Sequence, residues 1–183
     1  MKLHTEQDIL KHIQSDSWMM QLLRAVEQLA LPDWWIGAGF VRNKVWDVLF
    51  DKQERTPLDD VDVVFFDLQN QTEDREKLLE KELAAKMPNI KWSVTNQARM
   101  ASVNGDAPYH SSKEALAAWP ETATAVGVHL KNGELELLAP HGIDDLVGGI
   151  VRATPIFHNK KDLFAARQAK KNWRSKWPGL IFA

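Results

Sequence analysis

Asp60 and Asp62 are the residues whose types and spacing point most directly to chemistry. They lie in "DDVDVVFFD", Asp59 to Asp67. Side chains on a strand alternate, so the two carboxylates project from one face, side by side, where Val61, Val63, Val64, Phe65 and Phe66 carry the chain into an apolar interior. Two carboxylates about 4 Å apart repel by ~4 kcal/mol at an effective dielectric near 20, so such a pair needs a compensating cation or a shifted pKa. A divalent ion such as Mg2+ or Mn2+ is the simplest compensation, because it takes hard oxygen ligands from the protein and from substrate phosphates. In two-metal phosphoryl transfer, carboxylates so placed hold the ions that activate the attacking oxygen and stabilise the leaving group. The structural alternative is that Asp59 and Asp60 close a loop while Asp62 pairs with a nearby arginine.

Upstream, "IGAGFVRN" places Gly37 and Gly39 where an apolar strand turns into a helix. A backbone without side chains can approach a phosphate there, and the helix N-terminus offers free N–H groups and partial positive charge. Arg42, in the first turn, is positioned to clamp a phosphate. The stretch is not a Walker loop, since no G-K-[ST] follows, and it lacks the third glycine of a dinucleotide fingerprint. Each element alone is common; together they are far more specific.

The elements that must position these groups alternate between helical and extended patterns. Thr5 to Ser15 and Ser17 to Ala30 read as amphipathic helices, with Ile9, Ile13, Leu22, Leu23, Val26 and Leu29 at helical spacing. Trp34 to Ile36 reads as a strand, Phe40 to Phe50 as a helix, and Thr72 to Lys86 as a charged helix with acids in its first turn. "NIKWSVTNQ" reads as a strand and "NGDAPYHSS" as a loop. Ser112 to Trp119 is a short helix, and "TAVGVHLKNGELELLA" is a hairpin turning at Asn132-Gly133. "GIDDLVGG" is a short helix or turn in which Asp144 and Asp145 serve as caps; "IVRATP" is a last strand. Lys160 to Trp177 is a basic closing helix whose charges, Arg167, Lys170, Lys171, Arg174 and Lys176, spread over more than one face. The order predicts an α/β (α+β) chain, a mixed central sheet flanked by helices, in a single domain over residues 1–183. Its parts are N-terminal helices (1–33), a core (34–155) and the basic C-terminal helix (156–183).

Composition narrows the classes. With no cysteine, a disulfide scaffold, a thiol nucleophile and a thiolate zinc site are excluded, and the six histidines fall in no zinc spacing. A net charge of -2 means that any nucleic-acid partner must meet a local patch. No stretch approaches the roughly 20 apolar residues of a membrane span, and the amino terminus has no signal-like apolar run. The cytoplasm is the expected compartment, with no membrane partner. Trp34, Trp35, Trp46 and Trp92 sit in apolar runs as core candidates; Trp119, Trp173 and Trp177 are candidates for docking the closing helix or stacking on a base.

"IGAGFVRNKVWDVLFDKQERTPLDDVDVVFFD" resembles the nucleotidyltransferase superfamily that includes DNA polymerase beta. Within it the stretch is similar to the head domain of CCA-adding enzymes and bacterial poly(A) polymerases. Their pattern is a G-G turn, V-R-D on a helix, and D-x-D on the next strand. Gly39, Val41, Arg42 and Asn43 fall on the G, V, R and D, and Asp60 and Asp62 on the paired acids. A closer resemblance, to a bacterial family of small nucleotidyltransferase-like proteins, extends through "WSVTNQARM", "WPETATAVGV" and "GIDDL". Asn43 departs from the motif aspartate and Ala38 from the first glycine, and the loop before the acids is longer. Where many members carry a third carboxylate, this strand ends in Asn96, on the parity of Trp92 and Val94. "TNQARM" echoes a nucleotide-pocket motif of the similar enzymes, which makes Asn96 and Arg99 candidates for nucleotide contact; the alternative is a strand end with a surface arginine.

The resemblance implies a nucleotidyltransferase fold that binds a nucleoside triphosphate with Mg2+ or Mn2+. In this reading Asp60 and Asp62 are catalytic and hold the metal, and Gly37, Gly39 and Arg42 cradle the triphosphate. A nucleotidyl group passes to an unknown acceptor, a small molecule or a protein, with release of pyrophosphate. CCA addition to tRNA is disfavoured, because the sequence ends soon after the head. A binding or regulatory module that keeps the fold without turnover is the alternative, favoured by Ala38, Asn43 and the missing third acid.

Overall fold

The structure, a computed structural model, describes residues 3–183. The expected domain span from residue 1 thus includes two positions outside the described residues. Helix α1 (Glu6–Gln14) opens on a capping box in which Thr5 accepts from the Asp8 N–H and the Asp8 carboxylate accepts from the Thr5 N–H. Helix α2 (Ser17–Glu27) is capped by Asp16. Their helical-period residues Ile9, Ile13, Leu22, Leu23 and Val26 are all buried.

Strand β1 (Trp35–Gly37) turns at Ala38 into helix α3 (Gly39–Leu49), and strand β2 (Val61–Phe65) follows. Helix α4 (Glu73–Lys86) leads to strand β3 (Trp92–Asn96). Helices α5 (Gln97–Asn104) and α6 (Ser112–Ala117) precede the hairpin of β4 (Gly127–Lys131) and β5 (Glu134–Leu138). Helix α7 (Asp144–Val147), strand β6 (Ile150–Val151), helices α8 (Lys161–Lys171) and α9 (Trp173–Lys176), and strand β7 (Ile181–Phe182) complete the chain.

The main sheet has the order β3-β2-β1-β4-β5. Strands β2 and β3 are parallel and the other pairs antiparallel, so the sheet is mixed, as expected. A parallel pair needs a crossover, and α4 supplies it, packing on β3. Register decides what each face carries. Val61, Val63 and Phe65 of β2 join Trp92 and Val94 of β3 in the main core. On the opposite face Asp62 pairs in register with Ser93 and Val64 with Thr95. Polar groups are therefore gathered on one side of two neighbouring strands while the other side closes the core.

Two segments differ from the sequence reading. After β3 comes a helix that the sequence reading lacked, because the Asn96 side chain accepts from the Ala98 N–H and starts α5. The single closing helix is instead α8 and α9, broken at Asn172, whose φ of 50° lies in the left-handed region. Trp173 and Trp177 pack edge-to-face on Trp46 at 5.4 and 5.1 Å, and Trp177 Nε1 donates to buried Asp47 at 3.0 Å. These contacts, with β7 paired in parallel to β6, bind the C-terminal segment to α3 and the body. Among the described residues, no helix is long and apolar enough to cross a membrane.

Candidate functional site

Asp60 and Asp62 face the same polar pocket, of about 260 Å³, which Gly39 and Arg42 also line. The alternation expected of the strand thus puts the acids together, with neither turned into an internal ion pair among the described residues. Burial first, and then the neighbouring Asp60 charge, push the Asp62 carboxyl up to about 6; a hydrogen bond with Ser93 and the charges of Lys171 and Arg42 pull the other way. The arrangement suits a divalent cation, whose charge would offset both acids. No cluster of three His, Cys, Asp or Glu side chains suited to a metal occurs among the described residues, so the two acids by themselves would leave most of a cation's coordination shell to other oxygens.

The glycine turn divides its roles. Gly37 is a packing position: a Cβ there would lie 2.7 Å from the Trp119 ring and 3.2 Å from the Val126 carbonyl oxygen, which leaves no room for a side chain. Gly37 lies beneath Trp119, while Ala38 and Gly39 line the pocket. Ala38 holds φ 51° and ψ -121°, a conformation suited to glycine, and accordingly carries strain. Helix α3 starts without a side-chain cap, leaving first-turn N–H groups beside the pocket.

Arg42 is buried and forms no ion pair among the described residues. Its Nη1 donates to Thr124 Oγ1 at 3.0 Å and its Nη2 to Asn43 Oδ1 at 2.8 Å, while the guanidinium lies 4.4 Å from the centre of the Trp173 ring. Burial lowers its pKa to about 10, which still leaves it charged near neutral pH. Each terminal nitrogen retains a second hydrogen, so the group is oriented by the fold and still able to meet an anion.

The structure does not bring Asn96 and Arg99 into this pocket. Asn96 follows the parity of Trp92 and Val94, opposite Phe65, and is buried on the core side of the sheet. Its amide donates to the carbonyls of Asp67 and Asn70 at 2.7 and 3.0 Å, and its Oδ1 accepts from the Asp67 N–H at 3.0 Å. Arg99 donates to Glu76 at 2.7 Å and to Glu73 at 3.1 Å, joining α5 to α4. Asn96 thus ties the loop after β2 to the end of β3, and Arg99 ties α5 to α4. Asp145 is likewise structural, accepting from Thr122 Oγ1 at 2.7 Å and pairing with Arg152.

Other groups reach the site from the C-terminal segment. Arg167, Lys171 and Lys176 line the polar pocket opposite the acids. Arg167 pairs with buried Glu121 at 2.7 Å, and Lys171 lies 3.7 Å from Asp59. A larger mixed pocket of about 440 Å³ adjoins it, sharing Ala38, Asp62 and Arg167 and walled by Trp119, Phe157 and Gln97. Asp62 therefore stands where two lobes of one cleft meet. The basic tail was visible in the sequence, but its convergence on the acids depends on the break at Asn172.

The nucleotidyltransferase family profile matches residues 24–182. An NMR structure described as revealing a CCA-adding enzyme head domain is 37% identical, covers 98% of this chain and 96% of that one, and superposes with a TM-score of 0.86. The Bacillus stearothermophilus CCA-adding enzyme in complex with CTP is 18% identical, with a TM-score of 0.52 over 94% of this chain and 41% of that one. Another CCA-adding enzyme with CTP is 15% identical at a TM-score of 0.52, covering 85% and 38%. At those identities the enzymes share the fold, and this chain spans about two-fifths of their length. No curated protein matches the sequence.

Proposed function

We propose that this chain, which belongs to the nucleotidyltransferase family, binds a nucleoside triphosphate with Mg2+ or Mn2+ and transfers its nucleotidyl group to an acceptor hydroxyl, releasing pyrophosphate. The observation that carries the reading is the polar pocket itself: Asp60, Asp62 and Arg42 border it, none of them joined to an internal ion pair among the described residues, beside an uncapped helix N-terminus. Uncompensated charges of both signs in one partly desolvated place are costly to a fold unless ions complete them. The CTP held by the two CCA-adding enzymes of like fold is consistent with a nucleoside triphosphate here.

Asp60 and Asp62 would hold the metal, which when bound supplies charge neutralisation and polarises the phosphate oxygens. Arg42 and the first N–H groups of α3 would orient the β- and γ-phosphates, and Lys171 and Lys176 would add positive charge from the facing wall. The acceptor oxygen bonds to the α-phosphorus as the bond from it to the bridging oxygen breaks. Pyrophosphate leaves with that electron pair, and the acceptor proton passes to solvent through the open cleft. The acceptor is a small molecule or a protein.

A second reading, a nucleotide-binding module without turnover, is favoured by Ala38 and Asn43 at motif positions and by the inward hydrogen bonds of Arg42. Pyrophosphate release separates the two readings. The native protein is incubated with each nucleoside triphosphate, Mg2+ or Mn2+ and a pool of small metabolites, beside an Asp60→Asn, Asp62→Asn double variant. Release by the native protein alone supports transfer; nucleotide binding without release under every condition supports the module.

A further inference from the structure

We propose that the larger lobe of the cleft is a nucleobase subsite, in which the ring of the nucleotide lies between Trp119, Phe157 and Gln97 while its phosphates occupy the polar lobe. This holds only if the polar lobe takes a triphosphate, as proposed above. The lobes meet at Ala38, Asp62 and Arg167, so a ligand whose reacting phosphate sits at Asp62 must extend one part into each. A volume of about 440 Å³ falls within the ~300–1,000 Å³ usual for small-molecule sites.

The lining of this lobe favours a planar, uncharged ring. Apart from Asp62 at the junction, its charged groups are already satisfied internally: Lys160 pairs with Asp106 at 3.4 Å, Arg167 with Glu121 at 2.7 Å, and Asp106 also accepts from Tyr109. An anionic acceptor would find no free cation there, whereas a base requires none. Trp119 is held firmly, with its ring over Gly37 and its carbonyl accepting from Thr154 Oγ1 at 2.7 Å. Gln97 is buried, yet its amide nitrogen makes only a long 3.4 Å contact with the Thr95 carbonyl, which leaves hydrogen-bonding capacity for the edge of a base. Leu163 on α8, also at this lobe, is 64% exposed, apolar surface that a bound ring would cover.

Calorimetric titration in Mg2+ tests the subsite, with ATP, CTP, GTP and UTP compared against inorganic tripolyphosphate. The native protein is expected to bind at least one nucleotide about tenfold more tightly than tripolyphosphate. Phe157→Ala and Gln97→Leu should each remove about five- to tenfold of that nucleotide affinity while leaving tripolyphosphate binding unchanged. Intermolecular NOEs from base protons to the Trp119 indole would support the same placement without any substitution. Equal affinity for nucleotide and tripolyphosphate, or variants that weaken neither, would overturn the subsite and leave the triphosphate site standing. Failure of the native protein to bind either ligand would overturn both.

Discussion

Asp62 is a carboxyl held in a place that disfavours its charge. Folded, its pKa stands at about 6 against an ordinary 3.8, so between those values the folded state holds more protons than the unfolded chain. Stability of the metal-free protein is therefore expected to fall as pH rises through that window, with the cost complete above it. Asp62→Asn should raise the stability of the metal-free protein at about pH 7.5 by up to ~3 kcal/mol and change little near pH 4, read by chemical denaturation at both values. An equal effect at both pH values would assign the shift to another group. Ala38 gives a second residue-scale test: with φ at 51°, Ala38→Gly should add about 1 kcal/mol and raise the Tm by ~2–4 °C. At this scale the acid pair was legible, because strand alternation alone puts Asp60 and Asp62 on one face. Asn96 obeyed the same rule in the opposite sense: its parity with Trp92 and Val94 already pointed to the core, and a motif echo obscured that. Gly37 was recognisable as a glycine that must be glycine, but the reason, the Trp119 ring 82 positions later in the sequence, is a tertiary contact.

Among the elements, α8 and α9 show most clearly what a linear pattern leaves out. On one unbroken helix, nine residues at about 100° each would set Lys176 roughly opposite Arg167, and the tail would read as a solvated helix. The left-handed Asn172 redirects the chain, and Arg167, Lys171 and Lys176 then border the same pocket. Helix α8 has no fully buried side chain, so its position depends on the partly buried Phe164, on ion pairs and on the anchoring tryptophans that follow. Trp177→Ala is expected to cost about 3–5 kcal/mol, from the cavity left against Trp46 and the Asp47 carboxylate left without one donor. Lys176→Ala, by contrast, should leave stability within about 0.5 kcal/mol. It should weaken nucleotide binding by roughly tenfold, an effect that fades at high salt. Unchanged binding in Lys176→Ala at low salt would remove the α9 wall from the site. Helix α5 was missed for a related reason: "QARMASVN" has little amphipathic contrast, and its start is fixed by the Asn96 cap.

For the whole molecule, the mixed sheet, its flanking helices and the single hairpin were legible from hydrophobic period and turn chemistry. The start of "IVRATP" forms the expected strand, β6, whereas β7 went unread, since it exists only by pairing with β6 across the fold. One cleft results, with acids from β2, an uncapped helix end from α3 and cations from the C-terminal segment, and its central claim is that ions shared with a bound polyphosphate complete it. A ligand present at about a hundred times its Kd stabilises the folded state by ~2.7 kcal/mol, on the order of 5–10 °C in Tm for a chain of this size. The most direct measurement is a calorimetric titration of the native protein and of the Asp60→Asn, Asp62→Asn double variant with each nucleoside triphosphate, with and without Mg2+. Binding by the native protein that requires Mg2+ and vanishes in the double variant is the predicted result; binding that is indifferent to both the metal and the two acids, or no binding by either protein, would contradict it.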